Sequence, residues 1–283
     1  MSQTQSQTQD DGGPVRLTIR HQTAYAYDPA IGGAAMRLRL FPARYDTQTV
    51  EDWRVTVEGE PVTPNVTDGT GVKEAVWHGE GPFERLEVIA EGVVVRAEDQ
   101  GVIHGLKERT PVGVFLRDTP LTTADRAVRD LAEAARRDDA LSTLHALSAA
   151  VRDAVDYRPD TTDMSTSAAA ALAQGAGVCQ DHAHVFIAAA RSLGLPARYV
   201  AGYYTGGQEA GLTETHGWAE GYAEGLGWVG FDVANRTCPT REHVRVACHL
   251  DAGRAALISG ALQGRSEESL TASVAITQTQ AQQ

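Results

Sequence analysis

"GAGVCQDHAHVFIAAARSLGLPARYVAGY" (residues 175–203) joins a glycine-broken turn, one cysteine and a long apolar run. The run after Cys179 keeps helical spacing as far as Gly194-Leu195-Pro196, and a glycine followed closely by proline is typical of a helix end. Beyond Pro196 the apolar residues alternate, which predicts a strand. We therefore expect Cys179 at the N-terminus of a helix that leads directly into a sheet.

This position of Cys179 has a chemical consequence. Backbone N–H groups and the helix dipole favour a negative charge at a helix N-terminus, so the thiolate forms more readily there. The thiolate is the attacking species in cysteine chemistry. The chain has three cysteines, an odd number that does not predict a disulfide framework. The alternative is that Cys179 is a small apolar side chain that fills a buried position.

Two later segments carry further candidates. "THGWAEGY" (215–222) places His216 near the start of a predicted strand, and "GWVGFDVANR" (227–236) places Asp232 near the far end of the next one. In an antiparallel hairpin these two residues are close to cross-strand partners. An imidazole that takes the thiol proton and a carboxylate that orients the imidazole would then meet. Taken singly, either residue is also typical of an ordinary strand or turn.

The three segments together resemble the core blocks of the bacterial transglutaminase-like superfamily, and the strand-rich first half resembles the N-terminal domain that often accompanies this core. The resemblance implies a papain-like fold in which Cys179 is the nucleophile, His216 the general base and acid, and Asp232 its orienting carboxylate. It also implies cysteine-protease, amidase or acyl-transfer chemistry, with no metal and no other cofactor.

Three further residues are candidates for binding substrate or lining the pocket: His182, Trp218 and Asn235. His182 stands where the family often has an aromatic residue, and helical spacing puts it on the face of Cys179. We expect it to line the pocket rather than to tune the thiolate. Trp218 shares a strand face with His216. Asn235 belongs to "VANR", which replaces the more usual "PTN" after Asp232.

An oxyanion formed during the reaction needs hydrogen-bond donors. The backbone N–H of Cys179 is the natural first donor, and the second could come from Gln174, Gln180 or a tryptophan. Gln180 is the least favoured of these, because it points about 100° around the helix from Cys179.

Histidines and cysteines elsewhere do not predict a metal site. His182 and His184 point about 200° apart on a helix, so they cannot share one ion. Near the C-terminus, Cys238, His243, Cys248 and His249 fail the same test, since alternation sends residues 248 and 249 to opposite strand faces. We expect the four C-terminal residues to be strand residues.

The composition limits the partners. A formal net charge of −12 argues against a nucleic acid or an anionic membrane, both of which need a basic face. The start, "MSQTQSQTQDDGG", is polar and lacks the apolar run of a secretory signal. We therefore expect a cytoplasmic protein that acts on a peptide or protein substrate, with no nucleic-acid or membrane partner; its oligomeric state is not predicted.

The predicted fold class is α+β: a papain-like transglutaminase core of helices followed by an antiparallel sheet, preceded by a β-rich sandwich- or barrel-like domain. The predicted segments are a disordered tail 1–14, the β-rich domain 15–98, a linker 99–121, the catalytic domain 122–278 and a tail 279–283. Within the catalytic domain we expect helices over 122–137 (with Thr123 as N-cap), 140–157 and 165–177, and strands over 197–205, 215–224, 227–235, 243–250 and 269–278. Between the first two strands lies the glycine-rich loop 206–214, predicted to be mobile.

The function expected from these residues is amide or peptide hydrolysis, or acyl transfer, through a thioester. Hydrolysis is favoured over protein crosslinking, because crosslinking requires a pocket that prefers amines to water and no such pocket is readable in the sequence. The alternative is a catalytically silent papain-like scaffold that binds a peptide or a partner protein. The ordered presence of cysteine, histidine and aspartate argues against that alternative.

Overall fold

A computed structural model describes residues 12–206 and 215–281; the loop 206–214 therefore lies almost wholly outside the described residues, as does most of the predicted N-terminal tail. In chain order the elements are β1 (Val15–Phe41), β2 (Gln48–Val57), β3 (Glu60–Pro61), β4 (Val66–Thr67), β5 (Lys73–Arg96), β6 (Val102–Ile103), a 3₁₀ helix (Val112–Leu116), α1 (Arg126–Ala135), α2 (Ala140–Ala154), β7 (Asp156–Tyr157), α3 (Ala168–Gln174), β8 (Ala176–Gly177), α4 (Cys179–Ser192), β9 (Ala197–Tyr204), β10 (Thr215–Ala223), β11 (Gly227–Phe231), β12 (His243–His249), β13 (Ile258–Gln263) and β14 (Glu267–Gln280).

The first domain is a seven-stranded antiparallel sheet in the order β13-β1-β5-β2-β3, with β14 also on β1 and β4 on β5. Its two long strands pair along most of their length, from Val15 opposite Arg96 to Phe41 opposite Lys73. Alternate residues at the start of β1 are buried, as a half-buried strand requires. The predicted β-rich first half is confirmed.

The end of the chain returns to this first sheet. β13 and β14 both pair with β1, with Gly33 opposite Gln263 and Val15 opposite Gln280. The sequence had placed the strand over 269–278 in the catalytic domain, and it had begun a tail at residue 279, which lies inside β14. Alternation identifies a strand but not its partner, and residues 258–280 differ from the predicted domain division for that reason.

The second domain, called the core domain below, has the predicted order of helices followed by an antiparallel sheet. Its five strands lie in the order β12-β9-β10-β11-β6. α4 runs through its centre, with every residue from Gln180 to Arg191 buried, because helices on one side and the sheet on the other cover it completely. Within the described residues, no helix has both the length and the apolar character that crossing a bilayer demands.

The helices α1, α2 and α3 start after short polar side chains, although not always the predicted one. α1 begins at Arg126, and the Asp125 side chain caps it by accepting a hydrogen bond from the Val128 N–H. The predicted cap, Thr123, instead donates its hydroxyl to the carbonyl of Thr119. Both residues are good caps, and the sequence alone did not separate them.

The predicted linker 99–121 is part of the core domain. Its strand β6 adds to the edge of the second sheet by pairing with β11. Phe115, in the 3₁₀ helix, packs edge-on against Trp228 with ring centroids 5.2 Å apart. This segment therefore completes the sheet instead of only connecting two domains.

Buried polar contacts join the domains behind β12. Arg96, at the end of β5, donates to the carbonyls of His243 at 2.7 Å and Thr240 at 3.1 Å. Gln48 donates to the carbonyl of Arg245 and accepts from its N–H, both at 2.8 Å. The first domain thereby fixes the start of β12, the strand that begins at His243.

Candidate active site

Cys179 is the first residue of α4, and the turn before it is tightly held. The carboxylate of Asp181 accepts from the Val178 N–H at 2.8 Å and from the Thr162 hydroxyl at 2.6 Å. Gly177 is required here, because a Cβ at this position would lie 2.7 Å from the Asp181 side chain. The first N–H groups of a helix lack intrahelical acceptors, so the N–H of Cys179 is a free donor of the helix backbone.

His216 lies on β10 between Cys179 and Asp232. Its Nε2–H donates to Asp232 Oδ2 at 2.8 Å, and the ring is close enough to Cys179 for the two side chains to interact electrostatically. Burial lowers the pKa of His216, but the hydrogen bonds and negative charges of Asp232 and Cys179 outweigh burial and raise this pKa to about 10. The imidazole is therefore suited to holding a proton beside a thiolate.

Asp232, just after β11, is fully buried and accepts three hydrogen bonds on one oxygen. The donors to Oδ2 are His216 Nε2, His243 Nε2 at 3.0 Å and Asn235 Nδ2 at 2.7 Å. Burial alone would raise the pKa of Asp232, but the hydrogen bonds from the two imidazoles hold it well below its usual range. The carboxylate stays ionised and orients His216.

His243 is a second imidazole on Asp232, and this role was not predicted from the sequence. His243 Nδ1 accepts from the Thr240 N–H at 3.0 Å, which leaves the proton of the neutral ring on Nε2, facing the carboxylate. Burial lowers the pKa of His243 despite the hydrogen bond to Asp232. The only sequence signal is a histidine at the start of a strand after Asp232, because the strand order that joins them is not readable from the sequence.

Two aromatic rings enclose the imidazoles. The Trp218 ring lies 6.1 Å from His216 and meets His243 edge-on at 5.5 Å. Tyr204, at the end of β9, lies 5.3 Å from His216 and 4.3 Å from His243. Trp218 is 3% exposed, so it shields the hydrogen bonds around Asp232 from water more than it lines an open cleft.

The structure differs from the predicted pocket-lining role of His182. This ring is fully buried, and its Nδ1 and Nε2 lie 2.8 Å and 2.9 Å from the carbonyl oxygens of Val178 and Val155. The His182 ring stacks on the ring of Tyr157, with the two centroids 6.2 Å apart. Both ring nitrogens are thus occupied by the backbone, so His182 supports the start of α4 instead of meeting solvent.

Asn235 and Gln174 also have other partners. The Asn235 amide donates to Asp232, so it serves the carboxylate and is not presented to a substrate. Gln174, at the end of α3, donates to the carbonyl of Thr161 at 3.0 Å and is exposed. This bond directs the Gln174 side chain away from the role of second oxyanion donor.

One group of side chains among the described residues has the composition of a metal site. One ligand atom from each of His216, Asp232 and His243 lies within 4.8 Å of the others. Both imidazole–carboxylate distances are those of hydrogen bonds, however, and the shared oxygen also accepts from Asn235. The geometry is that of a hydrogen-bonded carboxylate.

Two sequence models of known families match the chain. The sequence model described as "Transglutaminase-like superfamily" matches residues 129–233, and that of the "Bacterial transglutaminase-like N-terminal region" matches residues 17–95. The first match includes Cys179, His216 and Asp232. The chain belongs to the transglutaminase-like superfamily.

Relatives of this transglutaminase-like protein are bacterial. An uncharacterized protein of Mycobacterium leprae (strain TN) is 27% identical over 281 residues, covering 93% of this chain and 98% of the relative. An uncharacterized protein of Mycobacterium tuberculosis (strain H37Rv) is 25% identical over 285 residues, covering 91% of each. A crystal structure of a "putative cysteine protease" from Cytophaga hutchinsonii has a TM-score of 0.74 and 20% identity, covering 95% of this chain and 92% of that chain. The structural likeness confirms the fold.

Proposed function

We propose that this transglutaminase-like protein is a cysteine-dependent hydrolase of amide or peptide bonds that works through a thioester, with Cys179, His216 and Asp232 as its catalytic residues. The observation that carries the proposal is the position of His216, which donates to Asp232 at 2.8 Å and interacts electrostatically with Cys179 at the start of α4. A proton can pass between sulfur and imidazole there, while the carboxylate fixes the ring.

The reaction follows from these contacts. His216 holds the proton of Cys179, and the thiolate attacks the carbonyl carbon to form a C–S bond. The carbonyl electron pair moves to oxygen and then returns as the C–N bond breaks. His216 gives its proton to the leaving amine, and a thioester remains. In the second step His216 takes a proton from water, whose oxygen attacks the thioester carbonyl. The C–S bond then breaks, the acid leaves, and the sulfur takes the proton back from His216.

Hydrolysis is favoured over amine transfer by what each outcome requires. Water needs no binding site to reach a thioester, whereas a primary amine must be bound in preference to water. Two of the candidate pocket side chains are already committed to other groups: Asn235 donates to Asp232, and Gln174 donates to the carbonyl of Thr161. The substrate of choice is a peptide or protein whose scissile carbonyl can reach the start of α4.

The proposal is tested by the alkylation rate of each cysteine with iodoacetamide between pH 5 and 9, read by peptide mass spectrometry. Cys179 is expected to react well below pH 8 and to lose that reactivity in His216→Ala. Cys238 and Cys248 are internal controls; Cys248 is buried, and burial raises the pKa of Cys238. If Cys179 instead titrates like a free thiol near pH 8.5, the protein is a silent scaffold that binds a peptide or partner.

A further inference from the structure

Tyr199 lies beneath the start of α4 and has no role in the chemistry described so far. It stands on β9 opposite Ala219 of β10. Its ring packs 5.4 Å from that of His184, one and a half turns along α4 from Cys179. Only 6% of the residue is exposed. The side chain therefore occupies the narrow space between the sheet and the helix that carries the cysteine.

The Tyr199 hydroxyl lies against the backbone next to His216. A Cβ on Gly217 would come within 1.9 Å of this hydroxyl oxygen, so only glycine leaves room for it. Among the described residues the hydroxyl has no hydrogen-bond partner. Its oxygen is also absent from the fully buried polar atoms that lack a partner, so it keeps some contact with solvent. A polar group that is so nearly buried ordinarily has a partner.

The electrostatics connect this hydroxyl with the nucleophile. Burial raises the pKa of Tyr199 well above its ordinary value, and the negative charges of Cys179 and Asp181 raise it further. The phenol consequently keeps its proton throughout the range in which Cys179 reacts. It is an uncommitted donor within the electrostatic reach of the sulfur.

We propose that the Tyr199 hydroxyl is the second oxyanion donor, acting with the backbone N–H of Cys179 on the acyl oxygen as the thioester forms. The inference rests on the proposed function, because an oxyanion arises only if Cys179 attacks a carbonyl. Two of the other candidates are committed elsewhere: Gln174 donates to Thr161, and Trp218 is packed on the two imidazoles. The third, Gln180, points about 100° around α4 from Cys179.

The role requires no proton transfer from the phenol. As the C–S bond forms, the carbonyl π pair moves to oxygen, and Tyr199 donates a hydrogen bond to the resulting anion. When the C–N or C–O bond breaks, the pair returns to the carbonyl. An amine leaves with the proton of His216, whereas a nitrophenol leaves as its anion.

The test compares two reactions of the same sulfur. Acylation by p-nitrophenyl acetate passes through an oxyanion, whereas alkylation by iodoacetamide is a displacement at a saturated carbon and does not. Tyr199→Phe is expected to slow acylation of Cys179 by about 10²–10³-fold, the usual effect of one oxyanion donor. Its alkylation rate is expected to stay within about two-fold of wild type, since no oxyanion forms there.

Tyr203→Phe is the matched control. Tyr203 is a second buried tyrosine of β9, and its hydroxyl is bonded to His21 of the first domain at 3.0 Å. Removing that hydroxyl should leave both rates unchanged. The alkylation rate also reports whether the site has kept its structure in each variant.

Two results would overturn the inference. If Tyr199→Phe is acylated as fast as wild type, the hydroxyl is not an oxyanion donor. If acylation and alkylation fall together, the hydroxyl supports the thiolate and not the oxyanion. Failure of the proposed function gives a separate result: p-nitrophenyl acetate would then not acylate Cys179 even in the wild-type protein.

Discussion

Asp232 accepts from two imidazoles and one amide, and so carries more hydrogen bonds than a carboxylate that orients a single histidine would need. Each extra donor spreads its charge and lowers its basicity toward His216. His243 is thus a positioning residue that acts on Cys179 through Asp232 and then His216. The strength of the base is set two side chains away from the sulfur.

Replacing His243 by phenylalanine tests this chain of contacts. With one donor fewer, Asp232 attracts the proton of His216 more strongly, so the pKa of His216 should rise from its value of about 10. Histidine ¹³C NMR titration between pH 5 and 11 measures this shift. Acylation of Cys179 should fall about ten-fold, as expected for one hydrogen bond to a charged group.

His104→Gln is the control for that variant, because His104 is an exposed histidine in the predicted linker. It should change neither the titration nor the acylation rate. An unaltered His216 titration in His243→Phe would show that the second imidazole only fills space.

The residues predicted from the sequence divide along a physical line. Cys179 was identified from local features, a glycine turn and a helix start. His216 and Asp232 were identified because one hairpin brings them together. His243 was taken for a structural residue of its strand, because its approach to Asp232 depends on β12 pairing with β9, a contact between segments about 40 residues apart.

At the scale of elements, Glu220 ties three strands of the second sheet together. It lies on β10 and accepts from Arg198 of β9 at 2.5 Å and from Arg245 of β12 at 2.8 Å. All three side chains are buried. Burial opposes ionisation of Glu220, but the two arginines hold its pKa below its usual value. β12, which carries His243, is fixed to the strand that carries His216 through this network.

Glu220→Gln should therefore be strongly destabilising. The substitution leaves the buried guanidinium of Arg245 without its counter-charge and leaves Arg198 with Glu108 alone, which costs about 3–5 kcal/mol of the free energy of unfolding. Urea unfolding followed by circular dichroism measures this difference.

Glu133→Gln provides the comparison, since Glu133 pairs with Arg136 on the exposed surface of α1 and its loss should have no measurable effect. Equal stability of the two variants would contradict the assigned role of Glu220.

Periodicity predicted most elements but not their assembly. The helices around residues 126–135, 140–154 and 168–174 follow the predicted spans to within a few residues, because spacing and caps are local signals. The sheet to which a strand belongs is decided by packing between distant segments. That is why β14 was assigned to the wrong domain and β6 was taken for linker.

At the scale of the whole molecule, the first domain supports the site through buried contacts to the start of β12. Arg96 is buried, and it donates to the carbonyls of Thr240 and His243. Its guanidinium also donates to Thr47 and Asp99. The turn it holds is the one whose N–H sets the tautomer of His243. A deletion that extended through the predicted linker 99–121 would remove this support and β6 together, so a point substitution is the cleaner probe.

Arg96→Met should slow acylation of Cys179 and shift the His216 titration in the same direction as His243→Phe, because both changes weaken the same contact on Asp232. The comparison variant is Arg16→Met, since Arg16 forms only an exposed ion pair with Glu51. Slower acylation with an unmoved titration would mean that Arg96 contributes general stability alone.

The return of β13 and β14 to β1 separates the order of synthesis from the order of completion. β1 is translated long before β13 and β14, so one of its edges stays open until residues 258–280 have followed. Throughout translation of the core domain, that edge is a template for pairing with other nascent chains. The sheet of the first domain is therefore completed only after the core domain has been translated. A chaperone that holds the unfinished chain should improve the yield of this protein more than slower synthesis would.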